Sequence, residues 1–159
     1  MAKGKQKVFK CEHEKTLICI SDIAEKGKTS TVNAVLDILL QRFPTHTILQ
    51  HQNTPITGIP ILRILNINNH IIGFDLMGDP DTDFPARIDR LGAYPCEAIV
   101  CTTRSSGATL EAAIATAVNY NMLFIKTSTY QNDDNNLHNY LNGIKAEHII
   151  DILERRGHL

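Results

Sequence analysis

The chain has 159 residues, of which 43% are hydrophobic, and its formal net charge is -1 at pH 7. This length can bury the core of one ordinary domain but not of two, so we expect a single domain over 15–159 behind a basic arm over 1–14. The near-neutral charge gives no general attraction to nucleic acid, which is therefore not indicated as a partner. The sequence shows no secretory signal and no run of about 18 apolar residues, which predicts a cytoplasmic protein without a membrane partner.

Short apolar runs alternate with helical patterns along the chain, which is typical of an α/β domain with a mainly parallel sheet. Asn68 and Asn69 suit a tight hairpin turn, so an antiparallel pair is predicted at the sheet edge. Gly143 lies inside the last helical pattern, at a point where that helix could be interrupted. The patterns predict strands over 16–20, 45–50, 61–67, 70–76, 97–102 and 122–127, and helices over 29–43, 83–91, 108–120 and 135–156.

The four cysteines show no C-x-x-C spacing, and the seven histidines are scattered without the spacing of metal ligands. Cys19 and Cys101 lie inside apolar strand patterns, where a free thiol behaves as a small hydrophobic side chain. Cys11 and Cys96 lie outside those runs. We therefore expect reduced structural thiols, as in a cytoplasmic protein, and no zinc site.

The most informative segment covers residues 16–31, TLICISDIAEKGKTST. It runs from a short strand through the tripeptide GKT at 27–29 into an amphipathic helix, which directs backbone N–H groups, a lysine ammonium and the positive end of a helix dipole to one place. That place suits a polyphosphate. The pattern G-x-x-x-x-G-K-[ST] is complete except at its first glycine, where this chain has Asp22. Aspartate tolerates the turn, but Asp22 and Glu25 bring negative charge toward an anion site.

A second group of polar residues follows the strand in IIGFDLMGDPDTD, residues 71–83. Asp75 ends the strand, and a carboxylate in that position near bound phosphates can orient Mg²⁺ or its water. Asp79 could take this role instead. We expect this strand to lie next to the first strand, in a parallel arrangement. Asp and Gly also serve turns at strand exits, so a purely structural role stays open.

The third group lies in CTTRSSGAT, residues 101–109, at the exit of the next predicted strand. Parallel sheets bind ligands at the carboxyl ends of their strands, so this loop should lie near the other two groups. Arg104 could neutralise phosphate charge, and Thr103 and Ser105 could donate hydrogen bonds. Alternatively, Ser106 or Thr109 caps the following helix while Arg104 makes a surface ion pair.

Together these motifs resemble the P-loop NTPase superfamily over residues 16–127. The resemblance implies a three-layer Rossmann-like fold with Mg²⁺ and ATP or GTP as cofactors, in which Lys28 contacts the β- and γ-phosphates and Thr29 coordinates the metal. The D-x-x-G spacing of Asp75 and Gly78 resembles the GTPase branch, but the guanine-reading N-K-x-D is absent from FIKTSTY at 124–130. The base is therefore not assigned.

The resemblance implies candidate residues in three roles. The catalytic candidates are Lys28, Asp75 and Arg104, and the metal candidates are Thr29, Asp75 and Asp79. The nucleotide-binding candidates are Ser21, Asp22, Ile23, Ala24, Glu25, Lys26, Gly27, Lys28, Thr29, Ser30 and Gly78.

Three functions are compatible with these motifs. The first is a nucleoside triphosphate-binding protein that acts as a slow Mg²⁺-dependent NTPase, in which the metal and loop donors stabilise charge during transfer of the γ-phosphoryl group to water. The second is a degenerate P-loop fold that serves as a protein interaction module without turnover, which the acidic side chains of Asp22 and Glu25 favour. The third is a small phosphotransferase, in which residues 103–109 hold the acceptor. A protein partner or a homo-oligomer stays open.

Overall fold

The computed structural model describes residues 14–22, 27–53, 60–77, 83–130 and 132–159. The elements are β1 (Lys15–Asp22), α1 (Lys28–Arg42), β2 (Thr47–Asn53), β3 (Pro60–Ile67), β4 (His70–Asp75), α2 (Phe84–Ala93), β5 (Ala98–Arg104), α3 (Ala108–Asn119), β6 (Met122–Thr127) and α4 (His138–Arg155), the last preceded by a short 3₁₀ helix, Asn135–Leu137. The basic arm predicted over 1–14 lies outside the described residues except for Glu14.

The six strands form one sheet in the order β2-β3-β4-β5-β1-β6. Four of them, β4, β5, β1 and β6, run parallel, whereas β3 pairs antiparallel with both β2 and β4. The predicted α/β class with a mainly parallel sheet is therefore confirmed, and the architecture is compatible with a Rossmann-like fold. The predicted β3–β4 hairpin is present, but the outermost strand on that side is β2.

Turn residues explain the connection between β3 and β4, whereas the break considered in the last helix is not observed. Asn68 and Asn69 connect β3 to β4 with φ of 52° and 68°, the left-handed values that a two-residue hairpin turn requires. The α4 helix continues through Gly143 without a break, so an interruption there is wrong. A glycine inside a helix costs only about 1 kcal/mol, and the buried face of α4, including Ile149 and Leu153, stabilises the helix beyond it.

Helices cover both faces of the sheet. α1 and α4 pack on the face that carries Ile18 and Ile20, and α2 and α3 pack on the face that carries Leu17 and Cys19. This division follows from the alternation of side chains along β1. The result is a three-layer arrangement. None of the helices in the described ranges is long and apolar enough to cross a bilayer.

The strand order places a topological switch point between the carboxyl ends of β1 and β5, which we call the crevice. These strands are parallel neighbours, yet the chain continues from β1 into α1 on one face and from β5 into α3 on the opposite face. The two helices therefore diverge from the carboxyl ends of adjacent strands. Open α/β sheets bind ligands at such a switch point.

Candidate functional site

The start of α1 lies at the crevice and presents its amino end there. Gly27, immediately before Lys28, has a left-handed backbone with φ 77° and ψ 17°, which glycine adopts without strain. A Cβ at this position would lie 3.1 Å from Asn142 Oδ1. Within the described ranges no side chain caps α1, so its first N–H groups and its dipole can act on a ligand.

Lys28 places its ammonium between the ends of two strands. Its Nζ donates hydrogen bonds of 2.9 Å to the carbonyl oxygens of Asp22, the last residue of β1, and of Thr103, the next-to-last residue of β5. The side chain is half-buried. A positive charge is therefore held at the switch point, next to the first turn of α1.

The other candidates at the ends of β1 and β5 tie neighbouring segments together. Ser21 is buried, and its Oγ donates to the carbonyl oxygen of Arg104 at 2.8 Å. The Asp22 carboxylate accepts a hydrogen bond of 3.0 Å from Thr129 Oγ1, in the loop after β6. The carboxyl edges of β5, β1 and β6 are thus joined by side chains.

Arg104 is exposed at the end of β5, directly across from Asp22 in the sheet register. None of the ion pairs between described residues includes it, so the surface ion pair considered above is not seen there. The α3 helix begins after Gly107 and has no side-chain cap in this part of the structure. Thr109 instead accepts a hydrogen bond of 3.1 Å from the backbone N–H of Arg104, so the capping alternative is wrong.

Thr29 and Ser30 are exposed in the first turn of α1. The following residue, Thr31, was not predicted: its buried Oγ1 donates to the Gly27 carbonyl at 2.8 Å and lies 3.3 Å from Asn142 Oδ1. The separation of 111 residues between Thr31 and Asn142 leaves no local signal in the sequence. The helix α4 is therefore part of the surroundings of the phosphate-loop candidate.

Asp75 occupies a different environment from the one predicted. Its carboxylate is fully buried and pairs with Arg87 of α2, with Nε 2.6 Å from Oδ2 and Nη2 3.4 Å from Oδ1. The N–H of Met77 also donates to Oδ1 at 3.2 Å. The expected adjacency to β1 is wrong, because the chain returns through α2 to β5, which lies between β4 and β1. The role of Asp75 at a metal stays a prediction.

The described residues include one more candidate ligand of Mg²⁺, Thr29. No three His, Cys, Asp or Glu side chains cluster as a metal site in the described ranges, and Thr29 offers one exposed hydroxyl. Because Mg²⁺ keeps several waters and takes ligands from substrate phosphates, one or two protein groups can suffice. Six candidates lie outside the described residues: Ile23, Ala24, Glu25, Lys26, Gly78 and Asp79.

Buried thiols lie beneath the crevice. Cys19 Sγ is 3.0 Å from Thr103 Oγ1, and the register places Cys19 directly beside Cys101. The hydrogen bond with Cys101 lowers the pKa of Cys19 most; the bond with Thr103 and the charges of Lys126 and Lys28 also lower it, against the effect of burial. The same thiol pair and burial raise the pKa of Cys101. The described cysteines are all free and buried.

No protein-family model matches this chain, and neither a curated protein nor a solved structure matches it. The assignment of a function therefore depends on the sequence motifs and on the geometry of the crevice.

Proposed function

We propose that this protein binds a nucleoside triphosphate in the crevice between β1 and β5, with the phosphates against the first turn of α1. The observation that carries this proposal is the position of Lys28. The Lys28 ammonium is 2.9 Å from the carbonyl oxygens at the ends of β1 and β5. In the chain, Lys28 comes directly after Gly27, whose backbone is left-handed. Backbone N–H groups, a helix dipole and a cation thus converge on one point, and this combination attracts phosphate.

The contacts of Lys28 are compatible with ligand binding. A phosphate oxygen forms a stronger, charge-assisted hydrogen bond with an ammonium than a neutral carbonyl does. The ammonium can therefore exchange one carbonyl for a phosphate oxygen and retain the other. Because the net charge of the chain is only -1, attraction of the ligand must come from these local groups. Mg²⁺ would arrive with the nucleotide, and the Thr29 hydroxyl could supply one ligand.

Slow Mg²⁺-dependent hydrolysis stays a prediction within this proposal, and so does a phosphotransferase in which residues 103–109 hold the acceptor. One observation favours the second candidate, an interaction module without turnover. The Asp75 carboxylate is committed to a buried ion pair with Arg87, so it is engaged away from the crevice. A cytoplasmic location would suit both candidates, because nucleotides are abundant there and thiols stay reduced.

The proposal is tested by thermal unfolding with ATP or GTP, each with and without Mg²⁺. A ligand that binds only the native state stabilises it by about 2.7 kcal/mol at a hundred times its Kd, which raises the midpoint by several degrees. Lys28→Met should lose most of this shift. Lys15→Met is the matched control. Lys15 is also a half-buried lysine, but it lies at the amino end of β1, whereas Lys28 contacts the carboxyl end of that strand.

Two results would overturn nucleotide binding. One is the absence of a shift at millimolar ATP and GTP in the wild type. The other is an equal shift in the wild type and in Lys28→Met. The size of the shift with ATP relative to GTP assigns the base, which the sequence does not.

A further inference from the structure

We infer that Thr129 is a positioning residue of the phosphate site, which holds the carboxylate of Asp22 away from the bound anion. This inference rests on the proposed function. Asp22 stands where the phosphate-loop pattern has its first glycine, and a carboxylate in that position would repel phosphate if it faced the crevice.

The geometry separates the two charged groups at the end of β1. The strand has β5 on one side and β6 on the other. Lys28 Nζ lies on the β5 side, at the carbonyl of Thr103. Thr129 follows the end of β6 by two residues, and its Oγ1 donates to Asp22 Oδ2 at 3.0 Å. The carboxylate is thus drawn toward β6 and the ammonium toward β5.

Thr129 is held firmly enough to act in this way. Thr129 is only 6% exposed, and residues of α4 contact the chain on both sides of it. Lys145 donates to Thr127 Oγ1 and lies 5.0 Å from the ring centre of Tyr130. The Tyr130 hydroxyl is 2.7 Å from His148 Nδ1. The contacts of α4 with Thr127 and Tyr130 thus hold the chain on both sides of Thr129, whose hydroxyl points to Asp22.

The consequence for binding is electrostatic. Without the Thr129 hydroxyl the carboxylate is held less firmly toward β6 and lies closer to the phosphates for part of the time. Like charges separated by several ångströms repel measurably even at an effective dielectric constant near 20. We expect about tenfold weaker binding of a phosphate ligand, which corresponds to about 1.4 kcal/mol. This loss should shrink at high salt, because salt screens partly exposed charges.

The test compares Thr129→Val with Thr129→Ser in the full chain, using Mg²⁺ with pyrophosphate and, separately, with ATP as titrants in calorimetry. Valine keeps the shape and removes the hydroxyl, so affinity should fall about tenfold. Serine keeps the hydroxyl and should bind like the wild type. Asp22→Asn added to Thr129→Val removes the negative charge of that side chain and should recover most of the lost affinity.

The effect of adding Asp22→Asn shows whether Thr129→Val weakens binding through the Asp22 carboxylate or through damage to the fold. If Thr129→Val binds as tightly as the wild type, or if Asp22→Asn fails to restore binding, Thr129 does not position the carboxylate and the inference is wrong. Should Thr129→Val fail to fold, Thr129→Cys replaces it, because a thiol is a weak donor of similar size; it should show a smaller loss with the same rescue. A wild type that binds neither pyrophosphate nor ATP overturns the proposed function and this inference together.

Discussion

The exits of β1 and β4 differ although each strand ends in an aspartate at the same edge of the sheet. At the end of β1, the carbonyl of Asp22 holds the half-buried ammonium of Lys28 beside the amino end of α1, which no side chain in the described ranges caps. At the end of β4, Asp75 is fully buried and its partner Arg87 has a side chain only 7% exposed. The charged group at the β1 exit, the Lys28 ammonium, is thus a ligand candidate, whereas the Asp75 carboxylate at the β4 exit is part of the packed interior.

The connections of the chain explain this difference. The helices α1 and α3 leave β1 and β5 toward opposite faces, so the carboxyl ends of these two strands border a crevice. β4 and β5 are joined directly by α2, which packs over their common face and brings Arg87 onto Asp75. Topology, more than residue type, therefore decides which strand end can meet a ligand.

The largest expected effect comes from the β4 exit. Arg87→Ala should lower the free energy of unfolding by about 3–5 kcal/mol, because it leaves the Asp75 carboxylate buried without this partner. Urea unfolding measures the loss. Arg42→Ala is the control: its ion pair with Glu147 is about half exposed, and such pairs contribute about 0–1 kcal/mol. Similar losses in both variants would contradict a structural role for the Asp75 pair.

Asp75→Asn is a smaller change at the β4 exit, because it removes the charge of the side chain but keeps its shape. An amide can still accept from Arg87, so we expect a loss of about 1–3 kcal/mol in stability and little change in phosphate release by the folded protein. A carboxylate that supports a metal would behave in the opposite way, because it acts mainly on charge developed in the transition state. Asp79→Asn is the comparison. Slow release with unchanged nucleotide affinity in Asp75→Asn would assign the metal role to Asp75.

At the β1 exit the expected effect on stability is smaller. Gly27→Ala should cost about 1–2 kcal/mol, because a side chain strains the left-handed backbone and its Cβ would lie 3.1 Å from Asn142 Oδ1. Gly143→Ala should instead stabilise the protein by up to about 1 kcal/mol. That glycine is in α4, and apart from its chain neighbours and the nearby backbone of its own helix, no atom of the described residues comes within 4 Å of its added Cβ. A stabilising Gly27→Ala would contradict the turn.

The sequence predicts the local structure of both exits better than it predicts their surroundings. The last predicted strand matches β6, Met122–Thr127, in both bounds, and α1 starts within one residue of its predicted position. Such elements follow from hydrophobic periodicity and from turn residues close in the chain. The hairpin at Asn68 and Asn69 is another case, because its backbone angles depend on those two residues.

The expectation that β4 lies next to β1 is wrong because strand order depends on contacts between distant residues. Nothing near Asp75 in the sequence indicates that β5 inserts beside β1, and the Arg87 partner stands inside a predicted helix with no motif of its own. The hydrogen bond between Asp22 and Thr129 spans 107 residues. Periodicity identifies which residues form strands, but the order of strands is decided by packing of the whole sheet. The candidate site therefore required the structure to show which groups share the crevice.

The smallest effect is expected at the third exit, that of β5. Arg104 is exposed beside the crevice, so Arg104→Gln should change stability by no more than about 0.5 kcal/mol. If its charge acts on bound phosphate, affinity should fall about three- to tenfold at low salt and less at high salt. Calorimetric titration with Mg²⁺ and ATP measures both.

The control for Arg104 is Arg155→Gln, which removes the same charge from the carboxyl end of α4, where the arginine side chain is 79% exposed and pairs with Asp151. Loss of net charge alone would weaken binding equally in the two variants, because a general field does not depend on one position. A loss confined to Arg104→Gln would show that the β5 exit contributes to the crevice. Equal affinities in both variants and in the wild type would restrict the phosphate site to the β1 exit, with Lys28 and the amino end of α1 as its binding groups.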